Sequence, residues 1–377
     1  MAKKRANGEG TLRKRSNGTW EARVSIDGKS KSFYGKTQAQ VICARDAFLR
    51  AHDDGINLDA GKMTVAQWLE IWRSEYTVGI KPLTAARYEV DIRVHINPAI
   101  GRVRLASLKA PALQRLYNQK LQGELSPKSV RNLHGVMHKA LDQAVKLGYI
   151  SKNVSDLCSL PRARKVEMHP LKDDAVPRFL KKIEGHVFEP LYRLALFTGM
   201  REGEVLGLTW DCIDFARGTI HLYRQLQRRK IKGGGGGYCF GPLKNSRERT
   251  IKPAKQVMAM LRQVQKDQAE MEERNREIWD NTMNLVFTNE AGRHLVDRTV
   301  YKHLKAIVGR LGFPEVRFHD LRHTYATLSL QNGDDIKTVS SNLGHATTAF
   351  TMDVYGHVTE TMRSDSAGRM EKYIVSL

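Results

Sequence analysis

The chain has 377 residues, enough for two or three domains, and its 62 Lys+Arg against 40 Asp+Glu leave a formal net charge of +22. Such an excess points to nucleic acid or an anionic membrane surface as the partner. No run of 18 apolar residues exists to span a bilayer, and the basic start MAKKRANGEG lacks the apolar stretch of a secretory signal, so membrane binding is the weaker option.

The charge is uneven. Residues 1–36 carry +7 and residues 64–165 carry +10, whereas residues 166–377 carry only +6 over twice the length. The basic density therefore sits in the first two segments. Cys43, Cys158, Cys212 and Cys239 are scattered with no C-x-x-C pair, which reads as reduced thiols and not as a disulfide framework or a zinc knuckle.

The first segment predicts a small sheet. TLRKRS, TWEARVSI and KSKSFYG are separated by Asn17-Gly18 and Asp27-Gly28, both hairpin turn signals. In the second strand Trp20, Ala22, Val24 and Ile26 share one face; Thr19, Glu21, Arg23 and Ser25 share the other. A helix follows, with Thr37 and Gln40 as a capping box and Val41, Ala44, Phe48 and Ala51 as an apolar stripe. One sheet face is expected under that helix. The other stays polar and basic, either as a solvated face or as a surface for a DNA groove, with Arg13, Arg15, Arg23, Lys29 and Lys31 as candidate contacts.

DDGINLDAGKM (Asp53–Met63) reads as a linker, and residues 64–160 as all-helical. Thr64 and Gln67 cap a helix carrying Val65, Trp68, Leu69 and Trp72. A second helix begins at Thr84 and ends near Asn97-Pro98, a third covers Pro111–Gln122, and a fourth runs from Pro127 to a stop at Gly148. So basic a set of helices suits a DNA clamp or a solvated bundle. LPRARKVEMHP (Leu160–Pro170) is a second basic linker. Beyond it, GTIHLYRQLQ and RTIKP read as strands, and the glycine run Gly233–Gly237 between them reads as a mobile hairpin tip. It lacks the Gly-Lys-Ser/Thr ending of a phosphate loop.

His319-Asp320-Leu321-Arg322-His323 opens a helix that stops at Asn332-Gly333, with Leu321, Tyr325 and Leu328 as its buried stripe. Two histidines four apart suggest a metal, but Asp320 is shorter than the glutamate of a zinc protease helix, and a guanidinium at Arg322 disfavours a cation. His319 and Arg322 project together from the first turn, as half of a phosphate site. His323 reads either as an ordinary helix-surface or packed histidine or as a supporting group. The other half of the site comes from LFTGMREGEVLGL (Leu196–Leu208), where Arg201 starts a helix and Glu204 follows one turn later, as a surface ion pair or as a support for the guanidinium. Lys244 in GPLKNSRERTI, His345 after Gly344, and Tyr355 complete an ordered set.

This set resembles the tyrosine recombinase (phage integrase) family: T-G-x-R-x-x-E, H-x-L-R-H, L-G-H and a Tyr-Gly-His ending occur in that family's order. The N-terminal sheet makes the chain most similar to integrases of conjugative transposons and of phages from Gram-positive hosts. The resemblance implies a multidomain α+β chain: an arm-binding sheet domain over 1–60, a helical core-binding domain over 64–160, and over 170–377 a mainly helical catalytic domain with a small β-hairpin sheet. It implies that Tyr355 attacks a phosphodiester to give a 3′-phosphotyrosine, with Arg201 and Arg322 on the non-bridging oxygens. Lys244 would be the acid for the leaving 5′-oxygen, with Lys232, Lys252 and Lys255 as nearby competitors. His319 would assist proton transfer at the tyrosine, His345 would donate to the phosphate, and Glu204 would hold the first arginine.

No metal, nucleotide or other cofactor is implied. The implied partners are double-stranded DNA at core and arm sites, a homotetramer on that DNA, and an excisionase and a host DNA-bending protein. The implied location is the bacterial cytoplasm, at the nucleoid. Two positions depart from the pattern: Lys244-Asn245 where Lys-Thr is frequent, and Asn153-Val154 where Asn-Pro is. The rival readings are a type IB topoisomerase and a non-catalytic DNA-binding regulator. Tyr325 is the nearest rival nucleophile, but it falls on the buried stripe. After Tyr355, Ser366-Ala367-Gly368 reads as a hinge, and Met370, Tyr373, Ile374 and Leu377 as an apolar stripe that packs on its own subunit or on a neighbour.

Overall fold

A computed structural model of the chain describes residues 10–26, 29–53, 62–123, 125–163, 167–172, 174–230, 236–244, 247–345, 347–355, 368 and 370–377. It divides into two compact units, Met1–Lys165 and Val166–Leu377. That boundary falls inside the linker expected at Leu160–Pro170. Most of the linker expected at Asp53–Met63 lies outside the described residues.

In the first unit, β1 (Thr11–Lys14), β2 (Trp20–Ile26) and β3 (Lys29–Gly35) form an antiparallel sheet in the order β1-β2-β3. Helix α1 (Gln38–Asp53) opens on the expected box: Thr37 Oγ1 accepts the Gln40 amide at 3.3 Å, and Gln40 Oε1 accepts the Thr37 amide at 3.3 Å. Ala22, Val24 and Val41 are buried, and Phe33 packs edge-on against Phe48 at 5.3 Å. Ala44, expected in the apolar stripe, is exposed instead.

The register divides the five candidate DNA contacts. Arg13 faces Glu21, and Arg23 faces Thr11, on the open side. Lys31 pairs with Val24 and Lys29 with Ile26, so both occupy register positions of the helix-covered face, and the Lys31 ammonium lies 4.4 Å from the centre of the Phe48 ring. The open face also holds a buried acid: Glu21 accepts Arg13 Nε at 2.8 Å and the Tyr34 hydroxyl at 3.3 Å. Arg15 stacks over Tyr34 at 5.2 Å with its Nε 4.0 Å from the Glu21 carboxylate, so Arg13 and Arg15 flank that carboxylate.

The helices that follow have a core of their own. Helix α2 (Val65–Glu75) carries the expected Thr64–Gln67 box and buries Val65, Trp68, Leu69 and Trp72. The Trp68 ring is fully buried, and its Nε1–H donates to the Ala140 carbonyl at 2.9 Å on α6 (Pro127–Lys146). The second expected helix starts earlier and does not stop at Asn97-Pro98. It runs as α3 (Pro82–Val90), a π-helical stretch Asp91–Ile96, and α4 (Asn97–Ile100). Proline lacks an amide and crowds the carbonyl four residues back, and the wider π turn just before Pro98 relieves that crowding. Helix α5 (Ala110–Gly123) and α6 complete the core through Leu113, Leu116, Tyr117, Leu133, Met137 and Leu141.

The second unit builds its core from α7 (Ala175–Ile183), α8 (Glu189–Thr198), α9 (Glu202–Leu206), α10 (Lys255–Arg274) and α11 (Asp297–Arg310) around a short sheet. The expected single strand GTIHLYRQLQ is two. β5 (Thr219–Leu222) joins β4 (Ile213–Asp214) and β8 (Arg249–Ile251), while β6 (Arg224–Lys230) pairs with β7 (Gly236–Pro242) in a separate hairpin. The glycine run is likewise not all tip: Gly236 and Gly237 pair with Lys230 and Arg229 as the start of β7. Residues 231–235 lie outside the described residues. Finally α12 (Phe318–Gln331), α13 (Ile336–Leu343) and α14 (Thr348–Tyr355) share a small core of Ala326, Leu330, Val339, Leu343, Val354 and Tyr355. No helix among the described residues is long and apolar enough to cross a membrane.

Candidate active site

The ends of α8, α13 and α14 and the starts of α9 and α12 make the site in the second unit. Helix α8 ends at Gly199, whose φ of +65° suits glycine, and an added Cβ there would meet the Tyr325 ring at 2.5 Å. The chain then turns to Arg201, directly before α9. Glu204 caps α9 by accepting the Arg201 amide at 2.9 Å and pairs with the Arg201 side chain at 2.8 Å. Helix α13 ends at Gly344 with φ +64°, and His345 follows it.

The two arginines meet at that helix end. Arg322 donates to the Gly199 carbonyl at 2.7 Å and to the Leu343 carbonyl at 2.6 Å, and Arg201 donates to the Gly344 carbonyl at 3.3 Å. Carbonyls at helix C-termini carry partial negative charge, which suits a guanidinium. Arg322 is almost fully buried. Burial, then the positive charge of Arg201, lowers its pKa to about 9, which still leaves it charged at neutral pH.

A third arginine, which sequence reasoning had not singled out, supports them. Arg249 on β8 is buried and grips Glu204 with two bonds, of 2.6 and 3.1 Å. Burial alone would raise the Glu204 pKa, but the bonds and charge of Arg249, and then Arg201, hold it at about 2. Glu204 is therefore a buried carboxylate, and not half of a surface ion pair. On β8 Arg249 is buried between the exposed Glu248 and Thr250, a placement that only the structure shows.

Asp320 is not a free ligand or base. It accepts Arg317 Nε at 2.9 Å, Arg317 Nη2 at 3.0 Å and the Arg317 amide at 2.8 Å, which caps α12. Among the described residues no group of three or more His, Cys, Asp or Glu side chains is arranged to hold a metal ion. His319, Arg322 and His323 lie on one side of α12, three and four residues apart. His319 keeps an exposed edge and meets the His323 ring edge-on at 4.9 Å. His323 is buried, and its Nδ1 lies 2.6 Å from the Tyr355 hydroxyl. It is thus neither a surface group nor mere packing.

His345 bonds through Nδ1 to Thr351 Oγ1 at 2.8 Å. All three histidines are pushed towards the neutral form. Desolvation is the first cause for each, joined by Arg322 and by Arg201, Arg317 or the other histidines, and the values fall to about 4 for His319 and His323 and about 3 for His345. Tyr355 is buried, and its phenol pKa is pushed above the ordinary value by desolvation, against a lowering by Arg322.

Tyr325, the rival, is half-buried with its hydroxyl accepting the Asn342 amide at 3.1 Å. Lys244 lies exposed just past β7, and residues 245–246 lie outside the described residues. Lys252 and Lys255 are also exposed, and Lys232 lies outside the described residues. Two guanidiniums, Arg201 and Arg249, thus pair with one carboxylate, Glu204, and a third, Arg322, feels its charge without bonding to it. Such a site is short of negative charge and suits an anion at the Arg201–Arg322 end.

The model described as "Phage integrase family" matches residues 171–362, and "Phage integrase, N-terminal SAM-like domain" matches 64–121. A tyrosine recombinase XerC-like protein of Caldanaerobacter subterraneus is 28% identical over 89% of this chain and 90% of its own length. An integrase of Streptomyces ambofaciens is 27% identical over 94% of each, and the ICEBs1 integrase of Bacillus subtilis 22% over 80% and 81%. The fold is shared with the Tn1549 transposon integrase, at a TM-score of 0.68 and 22% identity over 82% of this chain and all of that one. Lambda integrase superposes at 0.58 and 17% identity over 93% and 96%. Neither the topoisomerase nor the regulator reading is favoured by these relatives. The chain belongs to the phage integrase family of tyrosine recombinases, enzymes that cut and rejoin DNA.

Proposed function

We propose that this chain integrates and excises a mobile element by cutting core-site DNA with Tyr355, through a 3′-phosphotyrosine. The observation that carries the reading is the meeting of Arg201 and Arg322 at the successive carbonyls of Gly344 and Leu343, in the same small core that seats Tyr355. Two like charges held so close call for an anion between them, and a phosphodiester supplies one. Fork-shaped donors then neutralise the charge that builds on the non-bridging oxygens as phosphorus becomes five-coordinate. The phosphotyrosine keeps the bond energy, so rejoining needs no nucleotide.

His345 and His319 serve at the phosphate, and Lys244 protonates the leaving 5′-oxygen. Arg13, Arg15 and Arg23 present an arm-site surface, while Lys29 and Lys31 hold positions on the other face of that sheet. The DNA partner is supported by structures of the Tn1549 integrase with circular intermediate DNA and of a lambda integrase tetramer on a Holliday junction. A homotetramer, an excisionase, a host DNA-bending protein and work at the bacterial nucleoid belong to the same reading. A nicked suicide substrate tests it. Wild type forms a slow band in denaturing gels and Tyr355→Phe forms none. Relaxation of supercoiled plasmid lacking any attachment site would contradict it.

A further inference from the structure

The Tyr355 hydroxyl and His323 Nδ1 are 2.6 Å apart, with both side chains buried and their rings 5.9 Å apart. We propose that His323 is the base that takes the phenolic proton when Tyr355 attacks, and that it returns that proton when the strand is rejoined. The inference rests on the reading of Tyr355 as nucleophile.

The direction of the bond follows from the surroundings. Desolvation keeps the phenol neutral, so its O–H donates. The imidazole, held neutral, accepts at Nδ1 and carries its own hydrogen on Nε2. A neutral phenol is a poor nucleophile, and a buried one has no water to receive its proton. His323 is the acceptor in contact. In the forward step the Tyr355 O–H bond breaks and the proton moves to Nδ1. The oxygen's electron pair forms the bond to phosphorus, the P–O5′ bond breaks, and the 5′-oxygen takes a proton from Lys244. Nothing is oxidised or reduced.

Placement supports the role. His323 follows Arg322 on α12, so base and phosphate ligand are set by one helix, and α14 brings Tyr355 against it. The charges around His323 also make the base conditional. Arg322 and Arg317 oppose an imidazolium there and Asp320 favours one; His319 beside it on α12 and His345 in the α13–α14 connection are themselves held neutral, and Tyr355 faces it from α14. A phosphodiester bound at Arg201 and Arg322 cancels part of that opposition. The proton therefore stays on Tyr355 until DNA arrives.

The test is single-turnover cleavage of a nicked suicide substrate from pH 6 to 9 by wild type, Tyr355→Phe, His323→Ala and His323→Gln, with DNA binding measured alongside. Glutamine still accepts the phenol's hydrogen bond but takes no proton. Both His323 variants are expected to bind DNA nearly normally and to cleave on the order of 100-fold slower at pH 7. Their rates should rise about tenfold per pH unit, because hydroxide must now do the work, while wild type changes little. Added imidazole should accelerate His323→Ala, whose side-chain space is open, and not His323→Gln. If His323→Ala does not fold, His323→Gln alone decides. Cleavage by His323→Gln at or above the wild-type rate, with wild-type pH dependence, overturns the proposal; a faster rate would make the contact a latch. Covalent trapping by Tyr355→Phe would instead overturn the nucleophile reading on which it rests.

Discussion

Arg249 and Glu204 form a two-pronged buried ion pair, and Arg249 Nε donates in addition to the Asn342 carbonyl at 2.7 Å. One side chain thus ties β8 to α9 and to the end of α13, the three elements that carry or support Arg201 and His345. Arg249→Met leaves Glu204 buried with Arg201 as its remaining guanidinium. Loss of one partner of a buried pair costs about 3–5 kcal/mol, and removal of both costs less. Arg249→Met should lower the melting temperature clearly, and Glu204→Gln added to it should recover part of the loss. The pH dependence has a definite sign. The folded pKa of Glu204 is about 2 against an ordinary 4.5. The pair's contribution is complete above about pH 4.5 and is lost as pH falls towards 2. Thermal melts of the three proteins at pH 7 and pH 4 check both points; equal melting of wild type and Arg249→Met would refute the role.

Arg201→Ala and Arg322→Ala should each lose on the order of 3 kcal/mol or more of transition-state stabilisation, by analogy with an oxyanion donor. DNA binding should suffer less, because many other cations meet phosphates. The two should differ in stability. Arg322→Ala strips partners from the Gly199 and Leu343 carbonyls, whereas Arg201 gives the backbone one long bond to Gly344. Cleavage rates with melting curves separate these effects. Wild-type cleavage should survive EDTA.

Removal of residues 1–60 should leave cleavage of a short core site intact and abolish binding to a second, distant sequence. The sheet and the helices behind it have separate buried clusters, Ala22–Val24–Val41 in one and Trp68 with its neighbours in the other. Footprints of full-length and truncated protein decide the matter, and identical footprints would refute a separate DNA module.

The tail carries its apolar stripe in the open. Residues 370–375 are helical, and Met370, Tyr373, Ile374 and Leu377 are each more than half exposed, with Leu377 at 89%. Cover by a neighbouring protomer fits that exposure better than packing on the same subunit, and the expected assembly is a ring of such heterologous contacts. Stopping the chain after Ala367 should leave single-site binding near normal but reduce tetramers and strand exchange. Native mass measurement on attachment-site DNA reads this directly; undiminished tetramers would rule it out.

Much of the site was legible because phosphate chemistry restricts the residue types and helix ends mark their places. Gly199 and Gly344 announce two helix stops, and His319 and Arg322 share a first turn. Arg249 was not legible, because one of the two arginines in RERT has no marker until β8 shows which side faces inward. The partner of His323 was hidden too, since Tyr355 comes 32 residues later and only tertiary packing joins them. The break at Tyr223 was invisible for another reason: Ile220, Leu222 and Leu226 stay on even positions on both sides of it, with only Arg224 between them out of pattern. The face of Lys31 could have been found. A two-residue turn at Asp27-Gly28 fixes Ile26 opposite Lys29 and hence Val24 opposite Lys31.

The central claim is that Tyr355 is the covalent attachment point. Wild type trapped on a nicked suicide substrate should be digested with protease, and the DNA-linked peptide sequenced by mass spectrometry. The account predicts one modified residue, Tyr355, joined to a 3′-phosphate. A link at Tyr325 or any other residue, or to a 5′-phosphate, would contradict it.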